Sequence, residues 1–73
     1  MKKLTCKDAY QAHMNGIRMQ KENPTMRFGQ AVMLSLPPEV GFGLIGTNLD
    51  FYYSDDIAYV LNILYSNDVC SGN

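Results

Sequence analysis

The chain has 73 residues, 47% of them hydrophobic and 18% charged, with a formal net charge of −1, two cysteines and one histidine. That balance excludes disorder as the default and leaves room for one domain, near the lower size limit at which a chain buries a self-sufficient core. It also excludes a disulfide framework and a histidine-based metal centre, since both need more of those residues than this chain holds.

Thr5-Cys6-Lys7-Asp8 sets an acid three residues after a threonine, a pattern in which side-chain oxygens serve the free amides of a helix start. A first helix is expected over 6–22. Tyr10, Met14 and Ile17 recur at spacings of four and three and predict its buried face, with Cys6 and His13 alongside. Asn23-Pro24 ends it, because the residue before proline is pushed out of the helical region. Thr25 is then the expected N-cap of a second helix over 26–36, broken by Pro37-Pro38. Phe28, Ala31, Val32, Ser35 and Leu36 form one stripe of it, yet Met33 and Leu34 are apolar too. A helix apolar on most sides is covered on most sides, so this one is expected to be the central element. The short joint before it favours an antiparallel or steeply angled pair.

Pro38-Glu39-Val40 opens a third helical piece, since proline is tolerated in a first turn, and Gly41 and Gly43 keep it brief. Gly46-Thr47-Asn48-Leu49-Asp50 is rich in turn formers. Ser54 is the expected N-cap of a last helix over 55–67, with Asp55 and Asp56 in a first turn that favours negative charge. Ile57, Val60, Leu61 and Leu64 are expected to face inward and Tyr53 to pack against the helix start as a hydrophobic staple. Tyr59 and Ile63 then fall on the outer side. The expected fold is all-α: a single domain, residues 1–73, of three main helices plus a short helical turn.

The string Arg27-Phe28-Gly29-Gln30-Ala31, followed by Gly46-Thr47 and then Asp50-Phe51-Tyr52-Tyr53-Ser54-Asp55, covers the last two thirds of the chain. It resembles a group of short bacterial and phage proteins of unassigned function. Their pattern runs R-x-G-Q-A, an apolar helix, a G-T pair, and D-x-F/Y-Y-x-D before a closing helix. This chain departs from it in having Phe51 where that group has proline or a small residue, and in lacking a long polar loop between the segments. The resemblance implies a small helical protein from a phage or other mobile element and brings no activity with it.

Asp50, Asp55 and Asp56 are oxygen donors in one stretch, but their spacing matches no calcium loop, and a serine followed by two acids is what a helix start requires. Gly41-Phe42-Gly43 with Gly46 lacks the Lys-Ser/Thr and the preceding strand of a phosphate loop. His13 and Cys6 are seven residues apart, about 10 Å along a helix, so they share a face without touching. A half-buried interface histidine is the expectation. Catalytic residues, cofactors and metals are accordingly not expected, nor is an enzyme. Cys6 and Cys70 read as free thiols, with a disulfide between them as the alternative. Arg27 and Gln30 are expected to clasp the turn containing Thr47 and Asp50, chiefly through an Arg27–Asp50 pair.

The first half, residues 1–36, holds all six basic groups against Asp8 and Glu22, a net +4, whereas residues 37–73 hold five acids and no base, a net −5. Five tyrosines and three phenylalanines are a heavy aromatic load for this length, and such side chains dominate contact surfaces. Phe51, Tyr52, Tyr59, Ile63, Asp55 and Asp56 are therefore the expected interaction residues. The expected function is a non-enzymatic protein-interaction module of phage or mobile-element type, self-associating and acting on a host protein. The alternative is a nucleic-acid accessory protein using Lys7, Arg18 and Lys21, although duplex DNA binding is expected to be weak or absent. No apolar run reaches the roughly 18 residues of a spanning helix, and no secretory signal opens the chain. A cytoplasmic protein without membrane contact is the expectation.

Overall fold

The start of the first helix is as its sequence predicts. In the computed structural model, which describes residues 3–71 and so leaves Lys2 outside the described residues, α1 spans Cys6–Glu22. Thr5 Oγ1 accepts from the Asp8 amide at 3.1 Å, and Asp8 adds a negative charge to the first turn. At the other end the Asn23 amide donates to the Met19 carbonyl at 2.9 Å, and Pro24 prevents another turn.

The face that α1 buries is not the expected one. Ala9, Ala12 and Gly16 are buried, whereas Tyr10 is 59% exposed and Met14 and Ile17 also reach solvent. Small residues win because α2 (Phe28–Leu34) lies very close: a Cβ at Gly16 would stand 2.5 Å from Val32 Cγ2 and 3.3 Å from the Val32 amide nitrogen. Only a side with almost no side chain admits that approach, so the large residues turn outward.

α2 is shorter than expected and starts later. Residues 23–26 form a turn closed by the Met26 amide on the Asn23 carbonyl, so Thr25 caps nothing and Arg27 takes the N-cap position without a side-chain hydrogen bond. The missing cap comes from elsewhere in the chain: the Ser54 carbonyl accepts from the Gly29 amide at 2.8 Å. A Cβ on Gly29 would collide with the Phe51 carbonyl oxygen. Phe28, Gly29, Ala31, Val32 and Met33 are buried, as expected of a central helix, while Leu34 is exposed.

Pro37-Pro38 ends α2 and starts α3 (Pro38–Leu44), with Pro38 in its first turn. Gly46, at φ +82°, closes that segment in a conformation a side chain rarely adopts. The last helix, α4, spans Ile57–Leu64 rather than 55–67. Its cap is Asp56, whose Oδ1 accepts from the Tyr59 amide at 3.1 Å, while Ser54 Oγ accepts from the Asp56 amide one step earlier. Val60 and Leu64 are buried and Leu61 is half-buried, but Ile57 is exposed and Tyr53, far from stapling the helix, is 75% exposed.

The all-α single-domain fold is thus what the chain adopts, with one long helix and three short ones among the described residues. Leu4, Phe28, Val32, Leu44, Phe51, Val60, Leu64 and Val69 are among the residues that make one continuous core, and no polar side chain is buried among the described residues. The core is sealed by a seam in which Leu4 pairs with Cys70 in parallel. The Leu4 amide donates to the Val69 carbonyl and the Ser71 amide to the Leu4 carbonyl, both at 2.8 Å.

Candidate interaction surface

Beside the Pro37-Pro38 turn, residues of α2, α3 and the segments next to them line an apolar cleft of about 200 Å³. Met33 and Leu36 form its buried floor, Pro38 and Gly41 one wall, and Leu34, Phe42, Ile45 and Tyr52 its rim. Phe42 is 77% exposed, and Leu34 and Ile45 are about half exposed, which is a large apolar display for so small a surface. The local reason is the brevity of α3. Val40 and Leu44, one turn apart, are buried, so Phe42 between them is carried to the outer side.

Of the expected interaction residues, only Tyr52 lies at this cleft, its ring edge-on to Tyr53 with centroids 5.0 Å apart. Tyr59 is exposed on α4 but does not line the cleft. Ile63 is half-buried against the core, because α4 turns that side inward too. Phe51 is 1% exposed: its carbonyl sits on α2 at Gly29 and its ring belongs to the core. Asp56 is used as the helix cap. Asp55 pairs with Arg27, Nε to Oδ2 at 3.6 Å, with both side chains largely in water.

The expected Arg27–Asp50 clasp does not form. Asp50 instead accepts locally, from the Gly46 amide at 2.9 Å and the Tyr52 amide at 3.0 Å. Thr47 Oγ1 donates to the Leu44 carbonyl at 2.6 Å and accepts from the Leu49 amide at 3.1 Å, so the turn supports itself. Gln30 is half-buried on α2 and is not part of that turn's hydrogen bonding. Leu34, Phe42 and Ile45 were the residues missed. The signal for them was present in Leu34, apolar yet off the main stripe of its helix, and in a phenylalanine set between two glycines.

A second apolar display lies on α1. Tyr10, Met14 and Ile17 line its outward side, and Lys7, Arg18 and Lys21 each stand one turn from a member of that row. His13, half-buried beside it, is held by Tyr65: its Nδ1 lies 3.0 Å from the Tyr65 hydroxyl, with rings 5.8 Å apart at 73°. Phe28 and Tyr10 approach the same imidazole edge-on. Burial, and then the charges that Tyr10, Cys70 and Cys6 would carry, push the Tyr65 phenol above its ordinary value. Among the described residues no three of His, Cys, Asp and Glu converge on one point, and no helix is long and apolar enough to cross a membrane.

In comparisons with known proteins, no protein-family model, no curated protein and no solved structure matches this chain.

Proposed function

We propose that this chain is a non-enzymatic protein-interaction module that self-associates, the α2–α3 cleft of one copy receiving the outward face of α1 from another. The observation that carries the reading is the pair of complementary displays on one molecule. The cleft is apolar, and five of its eight lining residues, from Pro38 to Tyr52, come from the half of the chain with five acids and no base. The α1 row is apolar and is flanked by bases. Burying both removes exposed aromatic and aliphatic surface from water and brings opposite charges to the rim, where they steer and orient association. A two-fold arrangement makes both contacts at once and closes the assembly. The phage-like pattern around Arg27–Ala31 and Asp50–Asp55 supports placing the module among proteins of mobile-element type. The nucleic-acid reading is weaker, because the bases of α1 are interleaved with an apolar row rather than gathered into a phosphate track.

Light scattering or sedimentation over a dilution series tests the proposal. The parent is expected to associate in the micromolar range and to weaken as salt is added. Phe42→Ala and Met14→Ala, one on each face, are each expected to weaken association about tenfold or more, while Phe42→Ala changes stability by under about 0.5 kcal/mol. A strict monomer at high micromolar concentration overturns the proposal. Sensitivity to Phe42→Ala without sensitivity to Met14→Ala removes α1 as the occupant and gives the cleft to a different partner, such as a host protein.

A further inference from the structure

Cys6 and Cys70 are 64 positions apart in sequence, yet their sulfurs lie 3.8 Å apart and both are free thiols. Neither position is loosely held. Cys6 opens α1 directly after the Thr5 cap, and Cys70 sits in the seam, its amide donating to the Ser66 carbonyl at 2.8 Å and its neighbour Ser71 tied to Leu4. A disulfide needs sulfurs about 2.05 Å apart, so closing the gap calls for a shift of less than about 2 Å in two side chains and no rearrangement of the helices. The two thiols differ in access: Cys6 is exposed, while Cys70 is 5% exposed behind it.

We infer that Cys6 and Cys70 form a thiol-modification site that accepts low-molecular-weight disulfides, with Cys6 as the attacking residue and Cys70 as the resolving one. In the first step the deprotonated Cys6 sulfur attacks one sulfur of the small disulfide, forming a mixed disulfide, and the other half leaves as a thiolate that takes up a proton. In the second, Cys70 loses its proton and its sulfur attacks Cys6 Sγ, expelling the remaining small thiol. Two protein thiols are oxidised to one disulfide, and the two electrons reduce one small disulfide to two small thiols. The hydrogen bond to Cys70, followed by desolvation and the proximity of the second sulfur, holds the Cys6 thiol above its ordinary value. The first step is therefore slow at neutral pH and speeds up in alkali, which sets this pair apart from the acidic thiols of dedicated oxidoreductases. The product joins the first turn of α1 to the seam and closes a loop of nearly the whole chain, the case in which a cross-link most restricts the unfolded state.

The reduced full-length chain is incubated with oxidised glutathione at several ratios to reduced glutathione, then followed by intact mass, non-reducing peptide mapping and thermal melting. The expected product has lost about 2 Da, carries a Cys6–Cys70 link within one chain and melts roughly 15 °C or more above the reduced form, reversibly on adding dithiothreitol. Cys70→Ser is expected to stop at a glutathione adduct on Cys6, and Cys6→Ser to remain unmodified while folded. A parent chain that stays reduced, stops at the adduct, links only between chains, or melts no higher once linked overturns the inference. These arms use the parent protein and hold even where a variant fails to fold.

Discussion

Toward α1, helix α2 comes so close that a methyl group at Gly16 would lie 2.5 Å from a Val32 methyl, whereas toward α3 the contact is looser, with room for a methyl group at Gly41 and an open cleft of about 200 Å³ beside it. The chemistry of the two sides explains the difference. Alanine and glycine on α1 let the backbones meet and hide that side of α2, and the loop carrying Phe51 closes over Gly29 in the same manner. On the α3 side large residues line the cleft, and Leu34, Phe42 and Ile45 stay about half exposed or more. Around α2, then, small residues make the closest helix contact, and large residues on its other side make part of the surface the chain displays. For a chain with so little core to spare, that division is informative: apolar area left in water forgoes stabilisation of about 25 cal/mol per Å².

The comparison breaks most readily at Gly29. Gly29→Ala sets a methyl group against the Phe51 carbonyl, which is backbone and cannot rotate away, so the loop must lift and the Phe51 ring loses its seat. A loss of about 3 kcal/mol or more is expected in urea denaturation, among the largest for any single methyl in this chain. A parent-like midpoint would mean that the loop does not close on α2 as described.

A smaller effect sharpens the contrast between the two sides. Gly16→Ala should destabilise by about 1 to 2 kcal/mol, because the overlap with Val32 outweighs the gain in helix propensity. Gly41→Ala lies on the open side, where the added methyl would find only the Met33 carbonyl at 3.8 Å, and should be neutral or stabilising by up to about 1 kcal/mol. Thermal melts of the two variants that reverse this order would show that the close and open sides have been exchanged.

The smallest effect expected belongs to Arg27. Its partner Asp55 is exposed and 3.6 Å away, so Arg27→Ala should change stability by under about 0.5 kcal/mol, with even that difference fading as salt is added. A loss above about 1 kcal/mol in chemical denaturation would assign Arg27 a structural role that its surroundings do not suggest.

The limits of α1 and the start of α3 were legible because their signals are local. Thr5 with Asp8, Asn23-Pro24 and Pro38 each act within one turn of the residue that carries them. The buried face of α1 was not legible, because hydrophobicity ranks tyrosine, methionine and isoleucine above alanine and glycine. What decides the matter is the distance to a helix that the periodicity of α1 says nothing about. The start of α2 was misplaced for a related reason, since the carbonyl that serves Gly29 comes from Ser54, twenty-five residues further on. The Asp50 side chain shows the opposite error. A long-range ion pair was inferred where two neighbouring amides, Gly46 and Tyr52, already occupied its oxygens. The candidate cleft is a like case: Tyr52 lies at it, Phe51 was placed on the wrong side of its own loop, and Phe42, although noted between its two glycines, was not marked as exposed because a helix of seven residues is too short for a periodic pattern to reveal its outer face.

The seam between Leu4 and Cys70 also constrains the order of events when the protein is made. A ribosome adds residues from the amino end, so Leu4, buried in the native core, cannot form its seam bonds until Val69 and Ser71 have left the exit tunnel. Helix α1 is complete long before then and shows the growing chain's surroundings both its apolar sides. Contacts that join distant parts of a chain are slow to form, because the intervening length must be closed before anything is gained. For this protein the segment that pairs with Leu4 is made more than sixty residues after it.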